Sequence, residues 1–88
     1  MDKPFFSIVT ITMNDLDGLK RTHESVWTQS CRDFEWIVVD GGSAGEKQAY
    51  LQSLKEKAIC LSEPDDGLYD AMNKGIGLAR GCYTIFMN

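Results

Sequence analysis

Phe34-Glu35-Trp36-Ile37-Val38-Val39-Asp40-Gly41-Gly42-Ser43 is the stretch that decides the fold. Trp36 to Val39 is an unbroken apolar run, as expected of a strand covered on both faces in a parallel sheet. Gly41-Gly42-Ser43 breaks it sharply. Asp40 therefore stands at the carboxyl end of a buried strand, where an unpaired carboxylate is costly. It needs donors, either loop amides or a ligand's ring N–H and hydroxyl groups. The two glycines permit close backbone approach and positive φ. An ordinary Asp-Gly turn is the other reading of the same residues.

Working outward, the same kind of strand recurs with helical segments between. Phe5 to Met13 is rich in β-branched and aromatic residues and reads as the first strand. From about Asp15 to Gln29, Leu16, Leu19, His23, Val26 and Trp27 recur at three- and four-residue steps, so a helix presents them on one face. Asn14 and Asp15 are good N-cap types. Beyond the central strand, Gly45 to Lys57 reads as a second helix with Tyr50, Leu51 and Leu54 inward. Ala58 to Leu61 is a short third strand, and Glu63 to Gly67 is a loop. Leu68 to Arg80 reads as a third helix with Leu68, Met72, Ile76 and Ala79 along one face. Gly75 and Gly77 weaken it by about 1 kcal/mol each relative to alanine. Gly81 ends it, and Tyr83 to Met87 is the fourth strand. The order βαβαβαβ, with crossovers long enough for right-handed connections, predicts an α/β Rossmann-like parallel sheet in the order 3-2-1-4. Ligands of such open sheets bind outside the carboxyl ends of the strands where the order reverses.

That rule selects the residues after strands 1, 2 and 3. Thr12 and Asn14 can hydrogen-bond a base, ribose or phosphate, or serve only as a strand residue and a helix cap. Asp40 and Gly41 follow strand 2. After strand 3, Asp66, Asp70, Asn73 and Lys74 are spaced to share a helix face. Asp70 and Lys74 can meet a diphosphate, or form a solvated i, i+4 pair worth a few tenths of a kcal/mol. His23, Trp27, Trp36 and Tyr50 read as packed core.

The 88 residues carry a formal net charge of -4 and are 43% hydrophobic and 25% charged, which suits one soluble α/β unit. No basic cluster marks a nucleic-acid partner. Cys31, Cys60 and Cys82 are odd in number and form no CxxC pair, so they read as small buried residues or free thiols of a reducing cytosol. No apolar stretch approaches the roughly 20 residues needed to cross a bilayer. No signal peptide is expected, and the sequence shows no Ser/His/Asp triad, GxGxxG or P-loop.

Taken together, these segments resemble family 2 glycosyltransferases. Ser7-Ile8-Val9-Thr10-Ile11-Thr12-Met13-Asn14 is similar to their opening strand. Ser25-Val26-Trp27-Thr28-Gln29-Ser30 looks like their first helix end, and Phe34 to Ser43 like their second strand and DGGS turn. Ser62-Glu63-Pro64-Asp65-Asp66-Gly67-Leu68-Tyr69-Asp70-Ala71-Met72-Asn73-Lys74-Gly75-Ile76 resembles a stretch of a bacterial branch that builds exopolysaccharide, O-antigen and colanic acid units. The resemblance implies the N-terminal half of a GT-A fold, residues 1–88 forming its nucleotide-sugar-binding portion. It also implies a nucleotide-sugar donor and a polysaccharide or lipid-linked acceptor. Thr12 and Asn14 would line the base and ribose pocket. Asp40, with Gly41 beside it, would meet base or ribose. Asp70, Asn73 and Lys74 would flank the diphosphate. It implies a divalent metal, Mn or Mg, on an acidic motif expected beyond Asn88, so that these residues alone are expected to transfer no sugar. The expected location is cytoplasmic, peripheral at the inner membrane face for the full-length enzyme. Ile11 and Met13 replace the usual proline and tyrosine, Gly45-Glu46-Lys47 replaces Thr-Asp-Gly, and Cys82 stands where an acidic residue is common. The rival reading is a non-catalytic small α/β module that binds a nucleotide or a protein. An exposed strand edge adds self-association as an expectation.

Overall fold

The structure is a computed structural model that describes residues 4–13, 15–29, 33–42, 45–64 and 66–87. Its elements are β1 (Phe6–Thr12), α1 (Leu16–Trp27), β2 (Phe34–Asp40), α2 (Glu46–Ser53), β3 (Ile59–Ser62), α3 (Leu68–Leu78) and β4 (Tyr83–Phe86). The four strands are all parallel and lie in the order β3-β2-β1-β4, as the alternation of elements predicts. The register sets Thr12 beside Asp40 and Asp40 beside Ser62, so all three strand ends fall on one edge.

Strand periodicity divides the core in two. Ile8, Trp36 and Val38 face α1 and α2 and pack with Leu19, Val26, Leu51 and Leu54. Val9, Ile37 and Val39 face α3 and pack on Ala71. Thr10, Thr12 and Asp40 share the first of these parities, which turns the polar strand ends toward α1 and α2. Thr10 accepts from Trp36 Nε1 at 2.9 Å and donates to the Met87 carbonyl at 2.7 Å, so a buried hydroxyl in the apolar layer is satisfied on both counts.

Several element boundaries differ from those expected. α1 starts at Leu16, where the Asp15 side chain caps it by accepting from the Gly18 N–H at 2.9 Å. α2 ends at Ser53 rather than Lys57. From Leu54 onward the backbone closes short turns, Leu54 N–H to Leu51 and Lys57 N–H to Leu54, and these lead directly into β3. α3 ends at Leu78, where Ala79 turns extended with ψ 134°. Its inward face also differs: Leu68 and Ile76 are exposed, and Ala71 and Gly75 are buried. The cause is closeness of packing, since a Cβ on Gly75 would lie 2.5 Å from Val9 Cγ1. The glycine that weakens the helix by propensity is the residue that lets it settle on the sheet.

Candidate functional site

The site is assembled at the carboxyl edge of β1 and β2. Asp40 is fully buried. Its Oδ2 accepts from the Ser62 hydroxyl at 2.8 Å and from the Gly42 N–H at 3.2 Å. Gly42 holds φ at +99°, the left-handed region that glycine enters without strain. The Gly41 N–H donates to the Thr12 carbonyl at 3.0 Å, and the Glu63 N–H to the Asp40 carbonyl at 3.0 Å, extending the ladders one step past the strands. Gln48 Nε2 donates to Ser62 Oγ at 2.9 Å, completing a polar cluster drawn from β2, α2 and β3.

The sequence reading missed Lys47. It projects from the first turns of α2 into the sheet edge and is only 4% exposed. Its Nζ donates to Thr12 Oγ1 at 2.5 Å and lies 3.5 Å from Asp40 Oδ1. A buried ammonium is tolerated only when paired, and this pair supplies the donor that the buried carboxylate requires. The signal available was its place among the inward positions, since Lys47, Leu51 and Leu54 are three or four residues apart.

Beside this cluster lies an open cavity of about 690 Å³ between the end of β1, α1 and the residue after β4, which is the point where strand order reverses. Thr12, Met13, Asp15, Arg21 and Met87 are among its lining residues. Thr12 therefore belongs to both the buried cluster and the cavity wall.

The other expected residues form a second group. Lys74 Nζ lies 3.0 Å from Glu63 Oε1 and 3.4 Å from Asp70 Oδ2, and donates to the Pro64 carbonyl at 2.9 Å. Asp70 accepts from the Asp66 N–H at 2.9 Å. That bond and the nearby Lys74 hold the Asp70 carboxyl below its usual value, while Glu63, then Asp70, raises the Lys74 ammonium. The group cinches the β3–α3 connection. Asn73 is exposed on the same helix. Asn14, Asp65 and Ser43 lie outside the described residues. Among the described residues no three His, Cys, Asp or Glu side chains converge to hold a metal ion.

His23 is packed, as expected. It stacks on Trp36 with centroids 5.3 Å apart, and its Nδ1 shares a 2.6 Å hydrogen bond with the Tyr50 hydroxyl. Burial, aided by Lys57, lowers its pKa, and burial raises that of Tyr50. At the opposite edge of the sheet Glu35 accepts from Ser7 Oγ at 2.6 Å and from the Arg80 N–H at 2.6 Å, with Arg80 Nε 3.1 Å away. Burial opposes its charge, but those three donors outweigh it and leave the carboxyl below its usual range.

A parallel open sheet with a polar carboxyl edge at its switch point is a Rossmann-like α/β arrangement, in which ligands bind outside that edge. The sequence pattern of Glycosyl transferase family 2 matches residues 7–88, and the chain belongs to that family. It is 48% identical over 87 residues to an uncharacterized glycosyltransferase of Mycobacterium tuberculosis H37Rv, covering 97% of this chain and 33% of that protein. It is 38% identical over 91 residues to a PGL/p-HBAD biosynthesis glycosyltransferase of Mycobacterium bovis BCG, covering 99% and 36%. The chain thus spans about a third of the length of these curated relatives. Among solved structures, S. aureus TarS 1-349 matches with a TM-score of 0.78 at 21% identity, over 94% of this chain and 26% of that one. The mannosyltransferase PcManGT of Pyrobaculum calidifontis, in complex with GDP-Man and Mn2+, matches with a TM-score of 0.75 at 19% identity, over 89% and 25%. These two likenesses bear on the fold.

Proposed function

We propose that residues 1–88 are the donor-binding portion of a glycosyltransferase that moves a sugar from a nucleoside-diphosphate sugar to a polysaccharide or lipid-linked acceptor. The observation that carries this reading is the meeting of Thr12, Asp40 and Gly41 at the switch-point edge, beside a cavity large enough for a nucleotide. In this reading Thr12 and Met13 line the base side, with Asn14 following them. Asp40 fixes the edge through its bonds to Gly42 and Ser62. Lys74, with Asp70 and Asn73, stands on the diphosphate side, and reaching a phosphate requires Lys74 to exchange one of its three acceptors.

A divalent cation, Mn or Mg, belongs to the same reading through ligands other than the described residues, and would supply charge stabilisation to the leaving diphosphate. The acceptor base likewise falls to residues other than these. No described helix is long and apolar enough to cross a membrane. A cytoplasmic enzyme, peripheral at the inner membrane face, fits a lipid-linked acceptor. The test is a turnover assay of the full gene product with UDP-, GDP- and dTDP-sugars and a divalent cation. Release of nucleoside diphosphate from one donor class supports the reading. No turnover and no nucleotide binding across the panel contradicts it.

A further inference from the structure

Asp40 and Lys47 enclose one another at the carboxyl edge of the sheet. The Asp40 side chain has no exposed surface, and that of Lys47 is only 4% exposed. On one carboxylate oxygen the Ser62 hydroxyl donates at 2.8 Å and the Gly42 N–H at 3.2 Å, and Lys47 Nζ stands 3.5 Å from the other. The donors that a buried carboxylate requires are thus supplied by the chain itself. Lys47 depends on the same contact. It lies in the first turn of α2, where the helix dipole disfavours a cation, and the buried carboxylate beside it offsets that. A ligand N–H that hydrogen-bonds Asp40 must first reach a surface that solvent does not, and then displace an ammonium held in a buried ion pair. Breaking such a pair strands two charges, a larger loss than one neutral hydrogen bond returns.

We infer that Lys47 closes Asp40 to the donor nucleotide: the two are positioning residues that hold Thr12, Gly42 and Ser62 in place at the site edge, and the Asp40 carboxylate makes no contact with the ligand. The inference rests on the donor-site reading above. The family resemblance implies instead that Asp40 meets base or ribose. Lys47 carries the order of the pair to the cavity wall through Thr12 Oγ1, and Ser62 carries it to the end of β3.

Calorimetric titration of UDP, GDP and dTDP into the full gene product finds the nucleotide that the wild type binds. That nucleotide is then titrated into Asp40→Asn and Asp40→Asn/Lys47→Gln, each confirmed as folded by circular dichroism. Asp40→Asn alone leaves a buried ammonium without its counter-charge beside Thr12 and should weaken binding by about tenfold or more. Adding Lys47→Gln removes the second charge and leaves an amide donor and acceptor on each side, so the double variant should recover most of that loss. A double variant that binds no more tightly than Asp40→Asn overturns the inference and leaves the donor site standing, because the carboxylate then serves the ligand itself. Where either variant fails to fold, the crystal structure of the wild type with the bound nucleotide decides. Lys47 Nζ should still lie against Asp40 in that complex, and a ligand atom within hydrogen-bond distance of the Asp40 carboxylate overturns the inference. A wild type that binds none of the three nucleotides overturns the donor-site reading and this inference together.

Discussion

At the scale of single residues, the chain keeps its polar groups by pairing them across elements. His23 shows how that pairing sets a pH dependence. Its folded pKa lies below the ordinary 6.5, chiefly through burial, so the unfolded chain takes up a proton more readily than the folded one. Stability is therefore full above about 6.5 and falls as pH drops through that value toward the folded pKa. Glu35 adds a loss of the same sign at lower pH. Its folded pKa lies below the ordinary 4.5, so its contribution is present above that value and disappears as pH falls through the folded one. Urea unfolding of wild type and His23→Gln between pH 7.5 and 5.5 is expected to show a steeper loss in the wild type. Parallel pH profiles would mean that His23 does not titrate on folding. The packed character of His23 was legible from its place beside Val26 and Trp27. Its Tyr50 partner was not, because that contact joins two helices whose relative placement no local pattern encodes.

At the scale of elements, the two glycines of α3 separate propensity from packing. Gly75→Ala gains about 1 kcal/mol of helix propensity. It also drives a methyl into the stiff, buried Val9 side chain, and overpacking of that kind costs about 1–3 kcal/mol. Gly77 has nothing within 4 Å of a Cβ, so Gly77→Ala keeps the gain alone. Thermal unfolding should therefore show Gly75→Ala below and Gly77→Ala above the wild type. Two variants that both stabilise would contradict the close seat of α3 on β1. Element types and strand order were readable because each strand is an apolar run bounded by glycine or charge. The inward face of α3 was not. Leu68 and Ile76 suggest an apolar stripe, but the sheet approaches too closely for them and accepts Ala71 and Gly75 instead. Lys47 escaped for a related reason: an ionisable residue reads as a surface one until the buried Asp40 that pairs with it is placed beside it.

At the scale of the whole molecule, the sheet is unequally covered. β4 is one of its two edge strands among the described residues, and all four of its residues are exposed. Tyr83, Ile85, Phe86 and the adjoining Phe5 are each more than 40% exposed. An uncovered apolar edge tends to pair with another chain. Light scattering of the 88-residue chain is expected to show mass rising with concentration, and Ile85→Lys to suppress the rise. A constant monomer mass would refute the exposed-edge argument without touching the family assignment.

The central claim is that the Thr12–Asp40 edge of this sheet holds the donor nucleotide, and the amino-terminal edge around Glu35 does not. Calorimetric titration of nucleoside diphosphate into the full gene product tests it directly, comparing wild type, Asp40→Ala and Glu35→Ala, each confirmed as folded by circular dichroism. Asp40→Ala should weaken binding by about tenfold or more, since it removes the carboxylate that anchors Ser62, Gly42 and Lys47 at the site. Glu35→Ala should leave the dissociation constant unchanged. Equal losses in the two variants, or a larger loss at Glu35, would contradict the placement of the donor site.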